Sequence, residues 1–455
     1  MVEAAVVVRG LASTIVLVVV LAGLGGYIYF VENKKPVEPA DAKAKAFDIK
    51  AEQLEELQIK VADGDTSTLK KVDDRWQLVE PVQAEADNSE VNNMASSLAS
   101  LDVQRVVDEA PADLGQFGLG MPHLEVAFRI KGQTALQRLQ VGEKTPTGGD
   151  VYVKLADQKR VFLVSSYIDE TFKRTTFDLR DKTILKFDRD KMTGFEITNA
   201  SGTLQFERKG ANWMFMQPRV MRADFAAVEG LITSLSATPA KKFVADSASQ
   251  SELAQYGLSK PSATASIVMG DSRATLALGR TDNGETYARD TSKMAILTVA
   301  SAIVQDLSKP SSAFRRKELF DLRSFSAKHL ELRRGTEMFA FDKSTAANGK
   351  EVWKNAAGKE VDAAKVQDLL TKLSSVRAQA FEDQADPALK TPALVVTARF
   401  GENGFGESKG EDLTETVTLA RSGQSTVGSR PDEPGTLKVE AMPLDDILKA
   451  LDALK

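Results

Sequence analysis

The sequence predicts an α+β protein: an N-terminal transmembrane helix followed by three similar units of mainly antiparallel sheet packed by helices. Three observations carry this reading. Residues 10–31 contain no charged side chain. The only three tryptophans, Trp76, Trp213 and Trp353, recur at intervals of roughly 140 residues, as in an internal repeat. After each tryptophan, hydrophobic residues fall in helical steps of three and four and then in the alternation of strands.

The first element is the apolar span. Twenty-two residues at about 1.5 Å rise reach roughly 33 Å, enough to cross a hydrocarbon core of about 30 Å. A backbone in lipid must satisfy its own hydrogen bonds, so the span is expected to be a helix. Tyr27, Tyr29 and Phe30 stand at one end, where rings favour the interface. A cleaved signal peptide has a shorter apolar region, about 7–15 residues. Ala22 and Gly26 have the small-xxx-small spacing that lets two helices approach, although small residues are ordinary in such spans. Arg9 precedes the span; Lys34 and Lys35 follow it, offset by Glu32 and Glu38, so the positive-inside rule does not settle orientation. The expectation is a single-pass membrane protein with its soluble part outside the cytoplasm. Residues 1–33 form this anchor with its short N-terminus. Residues 34–45, rich in Pro, Ala, Lys and Glu, read as a linker.

The three units are expected at 46–183, 184–319 and 320–455, the third being diverged. Each tryptophan follows a polar, turn-like stretch: Lys71-Val-Asp-Asp-Arg, Arg208-Lys-Gly-Ala-Asn and Asn348-Gly-Lys-Glu-Val. The helix that comes next carries Val91, Met94, Leu98 and Leu101 in the first unit. The second has Phe225, Val228, Leu231, Ile232 and Leu235, and the third Val366, Leu369, Leu370, Leu373 and Val376. Val106, Phe243 and Phe381 follow in register, each trailed by acids. Pro122, Pro261 and Pro392 then mark the start of an alternating strand, where a missing donor costs least. Each unit closes with a strand and a helix bearing Ile168, Ile303 or Leu444.

Composition bounds what the units can do. A chain of 455 residues, 42% hydrophobic and 27% charged, suits about three globular domains. Its net charge of -5 gives no global attraction to nucleic acid, and the short run Arg315-Arg316-Lys317 lies among acids and reads as solvated surface. The absence of cysteine excludes disulfides, thiolate zinc sites and cysteine nucleophiles. Two histidines, His123 and His329, are too few for a histidine-rich metal site.

Several phrases carry a family resemblance. Asp73-Asp-Arg-Trp-Gln-Leu-Val-Glu-Pro-Val, Gln116-Phe-Gly-Leu, Val141-Gly-Glu-Lys-Thr-Pro-Thr-Gly-Gly-Asp-Val-Tyr-Val-Lys and Phe177-Asp-Leu-Arg-Asp-Lys resemble the bacterial domain of unknown function 4340 family. The second unit repeats the phrase as Gln255-Tyr-Gly-Leu; the third lacks it. The resemblance implies one N-terminal span in a bacterial inner membrane and a partner among gliding-motility-type ABC transporter components. It supplies no catalytic residues.

The residues themselves offer little chemistry. The loop Gly142-Glu-Lys-Thr-Pro-Thr-Gly-Gly-Asp has the residues of a phosphate loop in the wrong order and runs into a strand, so a hairpin is expected. Its counterpart begins at Gly279. Asp108-Glu109 and Glu382-Asp383 are paired acids without a calcium-loop spacing. Neither histidine has a triad-like neighbourhood. Asn199-Ala-Ser is a formal glycosylation sequon. The tryptophans are expected to fill cores. No catalytic, cofactor-binding or metal residue and no cofactor is assigned. The reading is a non-catalytic membrane-anchored interaction or scaffold protein, accessory to a gliding-motility-type ABC transporter. Its membrane contact is through residues 10–31, with a protein partner in the envelope and no nucleic acid. The alternatives are an envelope enzyme acting on glycan or lipid through buried carboxylates, and a ligand-binding protein with a cleft between units. Catalysis predicts inward acids in one pocket; interaction predicts exposed apolar patches.

Overall fold

A computed structural model describes residues 44–455 apart from 63, 211, 348, 402–411 and 440. The expected transmembrane helix, with Ala22 and Gly26, lies outside the described residues. Among the described residues no helix is long and apolar enough to cross a membrane. The chain divides into two compact units, one ending at Asp181 and the other spanning Lys182–Lys455.

The first compact unit holds one nine-stranded sheet and the second holds two. Numbered within its repeat, each sheet has the order 4-3-2-1-6-7-8-9-5. Three identical orders over three stretches of one chain establish three similar α+β repeats. The first strands (Leu54–Val61, Gly194–Asn199, Ala327–Arg334) sit mid-sheet, antiparallel to the sixth (Leu124–Ile130, Ala263–Met269, Leu394–Phe400). Pro122, Pro261 and Pro392 each stand two residues before a sixth strand, so the missing N–H falls outside the ladder.

Alternation decides which side chains face inward. The third strands Arg75–Glu80 and Asn212–Gln217 have the same burial pattern, with Trp76 and Leu78, then Trp213 and Phe215, in the core. Trp353 is the third residue of Glu351–Asn355, where Val352 beside it is buried too. The three indoles are 1%, 1% and 5% exposed and each belongs to its own repeat's core. The Trp76 Nε1–H donates to Asn92 (3.0 Å) and that of Trp213 to Glu229 (2.9 Å), both on the helix that follows. A buried donor thus finds a partner on the element it packs against.

Those helices are Asn88–Ala99, Phe225–Ala237 and Ala363–Ser374, and each begins at an aspartate. Asp87, Asp224 and Asp362 accept first-turn backbone N–H groups, which would otherwise be orphaned. The expected apolar faces are buried, with two corrections: Leu101 and Val376 are buried but lie past the helix ends at Ala99 and Ser374, and Phe225 is 48% exposed. It is the first helical residue, directly after the cap, and the buried stripe starts at Val228. Val106, Phe243 and Phe381 lie on the fifth strands, opposite Phe162, Leu297 and Leu437 of the ninth.

The Phe-Gly-Leu phrase is a packing device. Gly118 and Gly257 adopt the left-handed region at φ 68° and 75° and end short turns against the seventh strand. That strand bulges at Gly142 in the first repeat and at Gly279 in the second. A Cβ at Gly142 would sit 2.1 Å from the Phe117 carbonyl, and one at Gly279 2.1 Å from that of Tyr256. In the third repeat Ala420 follows Leu419, the residue paired with Leu394, and a 3-10 turn at Pro387–Lys390 replaces the phrase.

Candidate functional site

The motifs singled out in sequence are absorbed into structure. The Gly142 loop joins two antiparallel strands, Gln137–Lys144 and Asp150–Leu155, closed by Thr145 N–H to the Asp150 carbonyl at 2.8 Å. Asp108 caps the N–H of Ala110, and Glu382 pairs with Lys438. His123 Nε2 lies 2.5 Å from Asp169, and His329 Nδ1 lies 2.7 Å from Asp342 directly across the sheet. The Asn199 side-chain amide donates to the Leu307 carbonyl at 2.7 Å. Among the described residues no group of three His, Asp or Glu side chains is placed to hold a metal ion.

One expectation is corrected. Arg315, expected at a solvated surface, is 4% exposed. The reason is local. Arg315–Glu318 bridges two repeats by backbone hydrogen bonds: Ala223 pairs with Arg315, and Glu318 with Arg377. Arg316 N–H donates to the Arg222 carbonyl (3.2 Å), and Ala378 N–H to that of Lys317 (2.7 Å). An extended segment turns successive side chains to opposite sides, so a run of basic residues cannot all face water.

Around this segment lies a buried ionic junction between the second and third repeats. Glu433, fully enclosed, takes Arg222 Nε–H on one oxygen and Arg315 Nη2–H (3.3 Å) on the other. Arg315 also lies over the Phe381 ring, 4.0 Å from its centre. Arg430 binds Asp432 through both faces of its fork (2.9 and 3.0 Å), Glu415 at 2.6 Å and the Leu319 carbonyl at 2.7 Å. Glu415 also accepts the N–H groups of Asp321 (2.8 Å) and Leu322 (2.9 Å). Asp321 joins the clusters, receiving Arg222 (2.8 Å) and Arg316 (2.7 Å) on Oδ1 and Arg430 (3.2 Å) on Oδ2. Arg222, Glu415, Arg430 and Glu433 carried no signal in the sequence. Each is one charged residue, Arg222 in a two-residue strand, Glu415 near the start of a ten-residue strand, and Arg430 and Glu433 outside the strands, and only the fold assembles them.

The charges shape one another. Burial pulls the Arg430 guanidinium down, but its hydrogen bonds to Asp432 and Glu415 and the Asp321 charge raise it overall. For Asp432 burial pushes upward, yet the Arg430 hydrogen bond and charge leave it below the usual carboxylate range. A carboxyl depressed in the folded state stabilises fully above its unfolded value, and the contribution fades as pH falls through the folded one. The gap in Tm between the protein and its Asp432→Asn variant should therefore be widest at neutral pH and shrink below about pH 4. A gap independent of pH would show that the pair adds nothing.

A chain of α+β repeats, two of them joined through buried ion pairs, is the class that fold and site define. The model of the family described as Domain of unknown function (DUF4340) matches residues 76–219 and again 213–393, so the chain belongs to that family. Comparison with curated proteins gives no match. Among solved structures, the DNA polymerase sliding clamp from Pseudomonas aeruginosa aligns at 9% identity over 86% of this chain and 92% of its own, with a TM-score of 0.16. The DNA polymerase III subunit beta from the same organism aligns at 10% over 87% and 94%, also with a TM-score of 0.16. Scores that low carry no argument about fold or function.

Proposed function

We propose that this chain is a non-catalytic, membrane-anchored interaction protein, accessory to a gliding-motility-type ABC transporter assembly, with its repeats outside the cytoplasm. The observation that supports this is where the chemically capable side chains are spent. The buried arginines and carboxylates join two repeats into one compact unit, and each histidine is engaged by a single aspartate. Such a unit presents a fixed surface, on which large apolar side chains such as Phe325 (70% exposed) and Met338 (64%) stand free. Tethering rests on the uncharged residues 10–31.

Deleting residues 1–33 should turn a membrane-pelleted protein into a soluble, folded one; a truncated chain that still pellets after an alkaline wash defeats the anchor. Cross-linking in native membranes followed by purification of the full chain should recover transporter subunits. Their consistent absence overturns the accessory role.

A further inference from the structure

The junction is not neutral at its edge. A cleft of about 380 Å³ is lined by Lys209, Arg222, Arg316 and Arg323, facing, among the described residues, only the carboxylates of Asp321 and Asp432. Both carboxylates are already engaged, Asp321 by three arginines and Asp432 by Arg430. Among the described residues Lys209 and Arg323 make no ion pair. Widening the view to the surrounding shell adds Arg315, Arg377 and Arg430 against Glu318, Glu415 and Glu433, which cancel. Among the described residues two positive charges are therefore left over, in a chain whose net charge is -5. The rest of the wall is mixed: Trp213, Met214, Phe400 and Leu413 are apolar, while Asn212 adds a polar side chain. The apolar part of the wall strengthens the pull on a counter-charge. Burial lowers the Arg316 guanidinium, Asp321 and Glu318 oppose this, and the neighbouring Arg222 and Arg323 charges lower it further. An anion in the cleft would relieve that repulsion.

We propose that this cleft is a binding site for a phosphate monoester. Its charge of about -1.5 to -2 at neutral pH matches the surplus, and guanidinium forks suit its oxygens. The size lies at the small end for ligand clefts, about 300–1,000 Å³, which fits a phosphate head with a short organic stem. That stem belongs either to a soluble metabolite or to a phospholipid headgroup. The inference goes beyond the scaffold reading and does not depend on it.

The test uses the full chain in detergent, titrated calorimetrically with glycerol 3-phosphate, and the full chain in nanodiscs with or without phosphatidic acid. The discriminating variant is Lys209→Ala/Arg323→Ala, which removes the two cations without an ion pair among the described residues and should keep the parent Tm. Saturable binding of glycerol 3-phosphate, weakened at least tenfold in the double variant, supports the site with a soluble ligand. Binding only to phosphatidic acid, with the same loss, supports it with a lipid ligand. No binding to either, or binding that the double variant retains, overturns the proposal.

Discussion

Replacing Glu433 by alanine should lower the stability of the Lys182–Lys455 unit by about 3–5 kcal/mol, the cost of stranding buried charge. Two effects oppose each other. Removing an enclosed carboxylate relieves its own desolvation, which favours the variant. Against this, Arg222 and Arg315 are both buried and share Glu433, so one deletion leaves two guanidinium groups facing a void. Arg222 keeps Asp321 and the Glu318 carbonyl. Among the described residues Arg315 keeps only the weak Pro434 carbonyl contact and the Phe381 ring. The stranded cations outweigh the relief. Equilibrium urea unfolding would read the loss as a lower midpoint at unchanged slope, and thermal unfolding as a fall of about 10 °C. Glu433→Gln, which keeps the shape and the acceptor oxygen but not the charge, should fall between. A loss below about 1 kcal/mol for the alanine variant would mean that water or rearrangement replaces the carboxylate and that the pair does not hold the repeats.

This contrast explains what was legible in the chain. Core packing leaves periodic traces, so the tryptophans, the leucine-rich helix faces and the strand-leading prolines disclosed the triplication and its mainly antiparallel strands. The junction left none. Arg222 and Glu433 are 211 residues apart, and nothing in a lone arginine tells whether it will be buried. The run Arg315-Arg316-Lys317 even pointed the other way, because local charge suggests solvent. Only the backbone bridges that thread the segment between two repeats reverse that expectation. Phe225 erred for a related reason: helical periodicity marks a face but not where the cap begins.

The glycines of the seventh strand fall between these cases, since both halves of their partnership were visible but not their contact. Gly279→Ala should destabilise the protein by about 3 kcal/mol, the upper end for overpacking, and Gly142→Ala by a similar amount. The obstacle in each case is a backbone carbonyl 2.1 Å from the new Cβ, and a carbonyl cannot rotate aside as a side chain can. At Gly279 that carbonyl, Tyr256's, also accepts the Arg280 N–H at 2.9 Å, so any shift that relieves the clash stretches a hydrogen bond. Gly230→Ala is the control for glycine chemistry itself. It lies on the exposed side of a helix with open space around it and should gain roughly 0.5–1 kcal/mol from helix propensity. The third repeat supplies a natural counterpart: the residue after Leu419 is Ala420, fully buried, where the facing turn has a different sequence and shape. Loss of the turn phrase and gain of a Cβ in the same repeat are therefore two ends of one contact. Urea midpoints that stay at the parent value in both glycine variants would break that link, and would make the phrase a sequence coincidence rather than a steric pair.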